Sequence, residues 1–227
     1  MIKVFAADCG ALENEELYME YYKKMPSLRQ ESTDKFLQKR DRLLSVGAWA
    51  LLMKALDGED PGKVLFGENG KPYFENSGVF FNLSHSGNMA MCSVSESVIG
   101  CDIEMKKDVD MRVARRFFYR TEIELLESLQ TYEEKKDTFF RLWTLKESFM
   151  KATGLGFKLA LSDFCVYFEN SVPKVFQNVD KREYFFKEYF INEKYASAVC
   201  SADVGELPEK VIVIDDLRSM ISERNAF

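Results

Sequence analysis

The chain has no C-x-x-C pair, no apolar run long enough to cross a bilayer, no excess of positive charge and no low-complexity stretch. Each absence removes a class of function. Its five cysteines, Cys9, Cys92, Cys101, Cys165 and Cys200, are odd in number and scattered, so neither a disulfide framework nor a zinc site is expected. Reduced, partly buried thiols are the simpler reading. Lys and Arg total 31 against 37 Asp and Glu, giving a net charge of −6 and a pI near 5.1. Broad, non-specific nucleic-acid binding runs on the opposite balance, although a local basic site for an anionic ligand is compatible with an acidic whole. The most apolar stretch, GAWALLMKAL, is interrupted by Lys54 and falls short of the ~20 residues a membrane span needs. MIKVFAADCG lacks the apolar core and cleavage site of a signal peptide. The expectation is a cytoplasmic protein.

What is present is a globular composition. Of 227 residues 46% are hydrophobic, with 19 Phe and 10 Tyr, enough for one large domain or two small ones sharing an interface. Met1–Ala7 alternates as a strand. Leu12–Met25 reads as an acidic amphipathic helix stopped at Pro26. Ser27 and Gln30 fit a capping box opening one longer helix towards Leu56, ended by Asp57-Gly58 and Pro61-Gly62. Short strands follow at Val79–Asn82, Met89–Ser95 and Ser97–Glu104. Helices return at Val109–Tyr119, at Thr121–Gln130 with Thr121 and Glu124 as a capping box, and at Glu133–Thr153, closed by Gly154 and Gly156. Strands resume at Asp163–Phe168, Tyr184–Ile191 and Tyr195–Ser201, and the polar tail 215–227 reads as a loosely attached helix. Helices then strands, twice over, predict an α+β fold of two similar halves, 1–105 and 106–227, with a ligand cleft between them.

Four segments carry chemistry. In VIGCDIE, strand alternation sends Ile99, Cys101 and Ile103 to the core and puts Asp102 and Glu104 on the other face, with Gly100 leaving room beside them. Adjacent carboxylates repel unless a cation or shared proton relieves them, and such oxygen ligands suit magnesium, with manganese equally admissible. The bland alternative is a solvated edge strand. In LWTLKESFMKATGLG, helical spacing places Thr144, Glu147, Ser148 and Lys151 on one stripe. This is either an ordinary Glu147–Lys151 ion pair or a third carboxylate for a metal with a lysine aimed at phosphate; geometry assigns Lys146 no role. In FNLSHSG, Ser84, His85 (the sole histidine) and Ser86 follow a strand and could present donors to an anion, against the alternative of a packed histidine. Gly70-Lys71-Pro72 is a turn, or a way to bring backbone and a cation to a ligand.

GKP, FNLSHSG, IGCDIE and W-x-x-K-E-S-x-x-K, in this order and spacing, resemble the 4'-phosphopantetheinyl transferase superfamily, in its long single-chain form that activates peptide and polyketide synthases. The resemblance is firm from about Lys35 to Gly156. It implies a pseudo-twofold α+β monomer binding coenzyme A between its halves and transferring phosphopantetheine to a serine of an acyl or peptidyl carrier protein. It further implies Asp102, Glu104 and Glu147 as magnesium ligands, Glu147 as proton acceptor and Lys151 on the pyrophosphate. Ser84 and His85 then fall on the coenzyme A phosphates, and Lys71 and Pro72 near adenine. Two positions depart from the pattern. Cys101 replaces an apolar Ile or Val. Leu44 stands before Ser45 where many relatives have an arginine for the 3'-phosphate, leaving Arg42 as the substitute and Lys39 and Arg40 as rivals. Met111–Arg120 is the candidate carrier-docking surface, through Arg112, Arg116 and Phe118; the alternative is a solvated charged face over core phenylalanines. The functional rivals are a non-catalytic coenzyme A or carrier-binding module and a magnesium-dependent phosphohydrolase.

Overall fold

The computed structural model describes residues 2–59, 62–202 and 207–222; Met1, Pro61 and the last five residues of the expected tail helix lie outside them. The first half runs β1 (Lys3–Asp8), α1 (Glu15–Tyr22), α2 (Ser27–Asp34), α3 (Lys39–Ala55), the hairpin β2 (Val64–Phe66) and β3 (Pro72–Phe74), then β4 (Phe80–Ser86) and β5 (Met89–Ser95). The second runs β6 (Ile99–Met105), α4 (Arg112–Phe117), α5 (Arg120–Ser128), α6 (Tyr132–Thr153), the hairpin β7 (Cys165–Glu169) and β8 (Val172–Phe176), then β9 (Tyr184–Glu188) and β10 (Tyr195–Ala202). Each half is therefore a strand, three helices, a hairpin and two strands. The pairing repeats as well: the first sheet contains the antiparallel order β1-β5-β4 and the second β6-β10-β9. By pairing, β6 sits with the second set. β11 (Ile212–Ile214) returns to pair in parallel with β1, and after it comes the short α7 (Ser219–Ser222). Leu217 and Met220 are buried in the first core, which ties this segment down.

Strand alternation explains the layering. Phe5 and Ala7 of β1 enter the core under α3, while Val4 and Ala6 face the other half. Met89 and Met91 of β5 do the same, meeting Ile99, Cys101 and Ile103 of β6 and Val199 of β10 in an apolar seam shared by both halves. A second core, around Phe139, Leu142, Leu145 and Phe149 of α6, lies beyond the second sheet.

Three local expectations fail for identifiable reasons. The long helix from Ser27 is two helices, interrupted at 35–38; the Gln30 side chain makes no capping box but donates to the Tyr22 and Met25 carbonyls at the end of α1. The cap of α5 is set by Glu122, which accepts the Tyr119 N–H at 2.8 Å, while Thr121 bonds Cys165 and Glu124 pairs with Arg120. The N-terminus of α6 has a capping box that went unforeseen, Thr131 with Glu134. Lys146 also acquires a role. It is fully buried, 2.6 Å from Glu122 and 2.8 Å from the Phe164 carbonyl, and lies over the Phe164 ring. Glu122 in turn accepts the Val166 N–H, so this pair locks α5, α6 and β7 together.

α6 crosses β6 at Gly100. A Cβ there would lie 2.1 Å from the Ser148 carbonyl oxygen and 2.4 Å from the Ala152 nitrogen, so glycine is required for the helix to sit on the strand. Replacing Gly100 with Ala must push α6 off β6. The expected cost is about 3 kcal/mol, the upper range for overpacking, read as a lowered urea midpoint; an unchanged midpoint contradicts this packing.

Candidate active site

β4 and β6 are edge strands of different sheets and share no backbone ladder. Side chains close the gap. Asn82, Ser84 and Ser86 occupy alternate positions of β4 and therefore one face. Asn82 Oδ1 accepts the Cys101 N–H at 2.9 Å, Ser84 Oγ the Ile103 N–H at 3.4 Å and Ser86 Oγ the Met105 N–H at 3.1 Å. The same two hydroxyls donate onward to the carboxylates between those residues, Ser84 to Asp102 at 2.8 Å and Ser86 to Glu104 at 2.6 Å. Asp102 and Glu104 thus stand side by side at the joint of the halves, and Asp102 is buried rather than on a solvated edge.

α6 supplies the opposing wall. Of the expected polar stripe, Thr144 and Ser148 turn back onto their own helix carbonyls. Glu147 and Lys151 remain for the site. They do not form the i,i+4 pair: Lys151 Nζ lies 2.6 Å from Asp102 Oδ1 and 2.8 Å from Ser84 Oγ. Burial pulls the Lys151 pKa down, but Asp102 and Glu147 outweigh it and hold the ammonium protonated above its usual range. Glu147 is pushed up by burial and by Asp102 and Glu104, and Glu104 by burial and by Asp102. Two glutamates are thus raised beside Asp102, against a single lysine in direct contact with that aspartate.

A cleft of about 260 Å³ opens on this cluster, lined by Lys71, Pro72, Asn82, Glu147, Met150 and Lys151 among others. It brings GKP together with the α6 motif. The Lys71 ammonium, however, is turned onto protein carbonyls of Ile99, Lys151 and Ala152. Ser84 is engaged by Asp102 and Lys151. His85 points from the other face of β4, edge-on to Phe36 at 6.4 Å; burial and Lys151 lower its pKa and so favour the neutral imidazole. The basic residues of α3 lie elsewhere. Arg42 lines a separate cavity with Tyr18, Tyr22, Asp34 and Lys39, and Arg40 donates to the Gly87 carbonyl and Asn88.

The expected docking surface is corrected at one residue. Phe118 is buried at 3% exposure, stacked on Phe139 at 5.2 Å, and cannot meet a partner. Phe117, at 38% exposure, sits beneath Arg116, and Arg112 is exposed but paired with Asp110.

Whether a divalent cation fits depends on the donors. Among the described residues no group of three or more His, Cys, Asp and Glu is gathered tightly enough to hold a metal as the side chains stand. Yet Asp102 Oδ2 is buried without a partner, the donors are all oxygens, and burial together with like-charge repulsion raises both glutamates. A hard cation satisfies each of these.

The profile of the 4'-phosphopantetheinyl transferase superfamily matches residues 98–201, from β6 to β10. The chain is 31% identical over 173 residues to the 4'-phosphopantetheinyl transferase gsp of Aneurinibacillus migulanus, covering 72% of each chain. The chain belongs to the 4'-phosphopantetheinyl transferase superfamily. It is also 38% identical to a 4'-phosphopantetheinyl transferase of Bacillus subtilis and 34% identical to Sfp of Bacillus subtilis strain 168, over 149 residues in each case. These alignments cover 64% and 65% of this chain and 66% of each relative. As a superfamily member it carries Asp102, Glu104, Glu147 and Lys151 inside the matched region and Lys71, Pro72 and Ser84 outside it. No described helix is long and apolar enough to cross a membrane.

One consequence concerns stability. Raised carboxyl pKa values mean the folded state binds protons more readily than the unfolded chain, so the ionised glutamates cost stability as pH rises above the usual carboxyl range. Glu147→Gln is therefore expected to melt higher than the wild type at pH 7, by about 2 °C, with the difference vanishing near pH 4. Equal or lower melting at pH 7 contradicts the shift.

Proposed function

We propose that this protein transfers the 4'-phosphopantetheine arm of coenzyme A to a serine of an acyl or peptidyl carrier protein, releasing 3',5'-ADP. One observation carries the reading: Lys151 bridges Ser84 and Asp102 at the mouth of a cleft that also contains Glu147, Lys71 and Pro72. A permanent cation beside a raised-pKa carboxylate suits phosphoryl chemistry, in which a hydroxyl must lose a proton while charge grows on phosphate oxygens. In the proposed step the serine oxygen bonds to the phosphorus bearing the pantetheine arm. The bond from that phosphorus to the bridging oxygen breaks, and 3',5'-ADP leaves with the electron pair. Glu147 receives the serine proton. Lys151 stands where it can offset the charge developing on the leaving phosphate. Asp102, Glu104 and Glu147 are the residues that would hold magnesium or manganese, which when bound supplies positive charge to orient and polarise the pyrophosphate.

The neutral His85 offers a hydrogen bond to a phosphate oxygen, and Arg42, with Lys39, offers charge for the 3'-phosphate from its neighbouring cavity. Carrier docking falls to the exposed face of α4, with Arg112, Arg116 and Phe117 in place of Phe118. The protein is proposed to act as a monomer.

Intact-protein mass spectrometry of an apo carrier incubated with this protein, coenzyme A and magnesium tests the assignment. The expected result is a gain of one phosphopantetheine, abolished by chelator and lost at least about 100-fold in Glu147→Gln. No gain, with coenzyme A still bound, moves the function to a non-catalytic binding module; phosphate release without acceptor moves it to a phosphohydrolase. Charge reversal at Arg112 and Arg116 is expected to raise the carrier KM about tenfold without altering coenzyme A affinity, and an unchanged carrier KM removes α4 from the docking surface.

A further inference from the structure

The loop between β2 and β3 belongs to the first half but makes its contacts on the second. Lys71 Nζ donates to the Lys151 carbonyl at 2.5 Å and reaches the Ala152 carbonyl at 3.4 Å, in the last turn of α6; a third bond, at 3.0 Å, goes to the Ile99 carbonyl of β6. Two residues earlier, Asn69 Nδ2 donates to the Gly154 carbonyl at 2.9 Å. Gly154 is the left-handed residue that ends α6, with φ 69°, and Glu68 pairs with Lys158 just beyond it. The last carbonyls of a helix have no partners within it and form the negative end of its dipole. Helices commonly satisfy them locally, with a glycine motif or a basic residue of their own last turn. Here a separate part of the chain adds an ammonium and an amide.

We propose that Lys71, with Asn69, is a positioning residue: it caps the end of α6 from the other half of the molecule and so holds Lys151 on Asp102 and Glu147 at the cleft. This rests on the transferase reading of the same site and deepens it, because it moves the Lys71 ammonium from substrate contact to assembly of the machinery. The geometry leaves the ammonium little freedom for both tasks. It is committed to three carbonyls of two elements, β6 and α6, and these are the elements carrying Asp102, Glu104, Glu147 and Lys151. The backbone of the loop and Pro72 still line the cleft. The burial that lowers the Lys71 pKa to about 8 follows from this enclosure. Freed at this end, α6 can shift on β6, and displacements of about 1 Å at a reacting group cost up to about 100-fold in rate.

The experiment compares wild type with Lys71→Met, Lys71→Arg and Asn69→Ala by three readouts. These are amide hydrogen exchange in the last turn of α6 without substrate, the coenzyme A dissociation constant by calorimetry, and kcat for carrier modification. The expected pattern for Lys71→Met is faster exchange at about residues 150–155, a kcat lowered at least tenfold and a coenzyme A dissociation constant within about twofold of wild type. Lys71→Arg, which keeps a cation with several donors, restores most of both exchange protection and kcat. Unchanged exchange with coenzyme A binding weakened at least tenfold makes Lys71 a substrate contact and overturns the proposal, as does no change in any readout. If Lys71→Met does not fold, Asn69→Ala carries the test through the same split of exchange and kcat from affinity. The exchange measurement needs no turnover, so it decides the capping claim even if the transferase activity itself is absent.

Discussion

An unpaired sheet edge is the constraint on which this molecule depends. β6 pairs with β10 on one side, but on the other it lies beside β4 with the N–H groups of Cys101, Ile103 and Met105 pointing at another sheet and no backbone ladder to take them. Buried donors left unpaired are costly, and three β4 side chains supply the missing acceptors. Because serine both accepts and donates, the residues that close the edge also hold the carboxylates of Asp102 and Glu104 in place. The joint between the halves and the chemical site are one object, and neither half contains the site alone.

That arrangement stores repulsion. Two glutamates are raised by their surroundings and one aspartate oxygen has no partner, with Lys151 the cation in direct contact with the cluster. Stability favours protonating these groups, whereas the proposed chemistry needs them charged. Elsewhere the chain spends its polar groups conservatively: the buried Lys146–Glu122 pair has its remaining hydrogen bonds met by backbone. The contrast between a satisfied buried pair and an unsatisfied carboxylate cluster, both reached from α6, distinguishes the structural face of that helix from its working face.

Much of this was legible in the sequence because strand and helix periods are short and local. The facing of Ile99, Cys101 and Ile103 against Asp102 and Glu104 follows from alternation alone, and the shared face of Glu147 and Lys151 from helical spacing. What stayed hidden was long-range. Nothing local reveals that Lys151 prefers Asp102 to Glu147, that Lys71 reaches across to α6, or that Lys146 finds Glu122. Short elements were also missed: β2, β3 and β11 have three residues each, too few for a period to emerge. The break before α3 escaped because Ser27 and Gln30 mimic a capping box while Gln30 serves α1. Phe117 and Phe118 differ in burial only through the packing of α4 against Phe139 and Trp143. The N-x-S-x-S pattern of β4 was readable, but as donors to an anion instead of acceptors for a neighbouring edge.

The central claim is that Glu104 and Glu147 at this joint are raised in pKa and, with Asp102, would hold a cation. Calorimetric titration of magnesium into the coenzyme A-bound protein at about pH 5.5, repeated in buffers of different ionisation enthalpy, tests it most directly. The account predicts that binding releases protons, and that the number released falls as pH rises and the glutamates ionise unaided. Magnesium binding without proton release, or no binding at any pH, contradicts it.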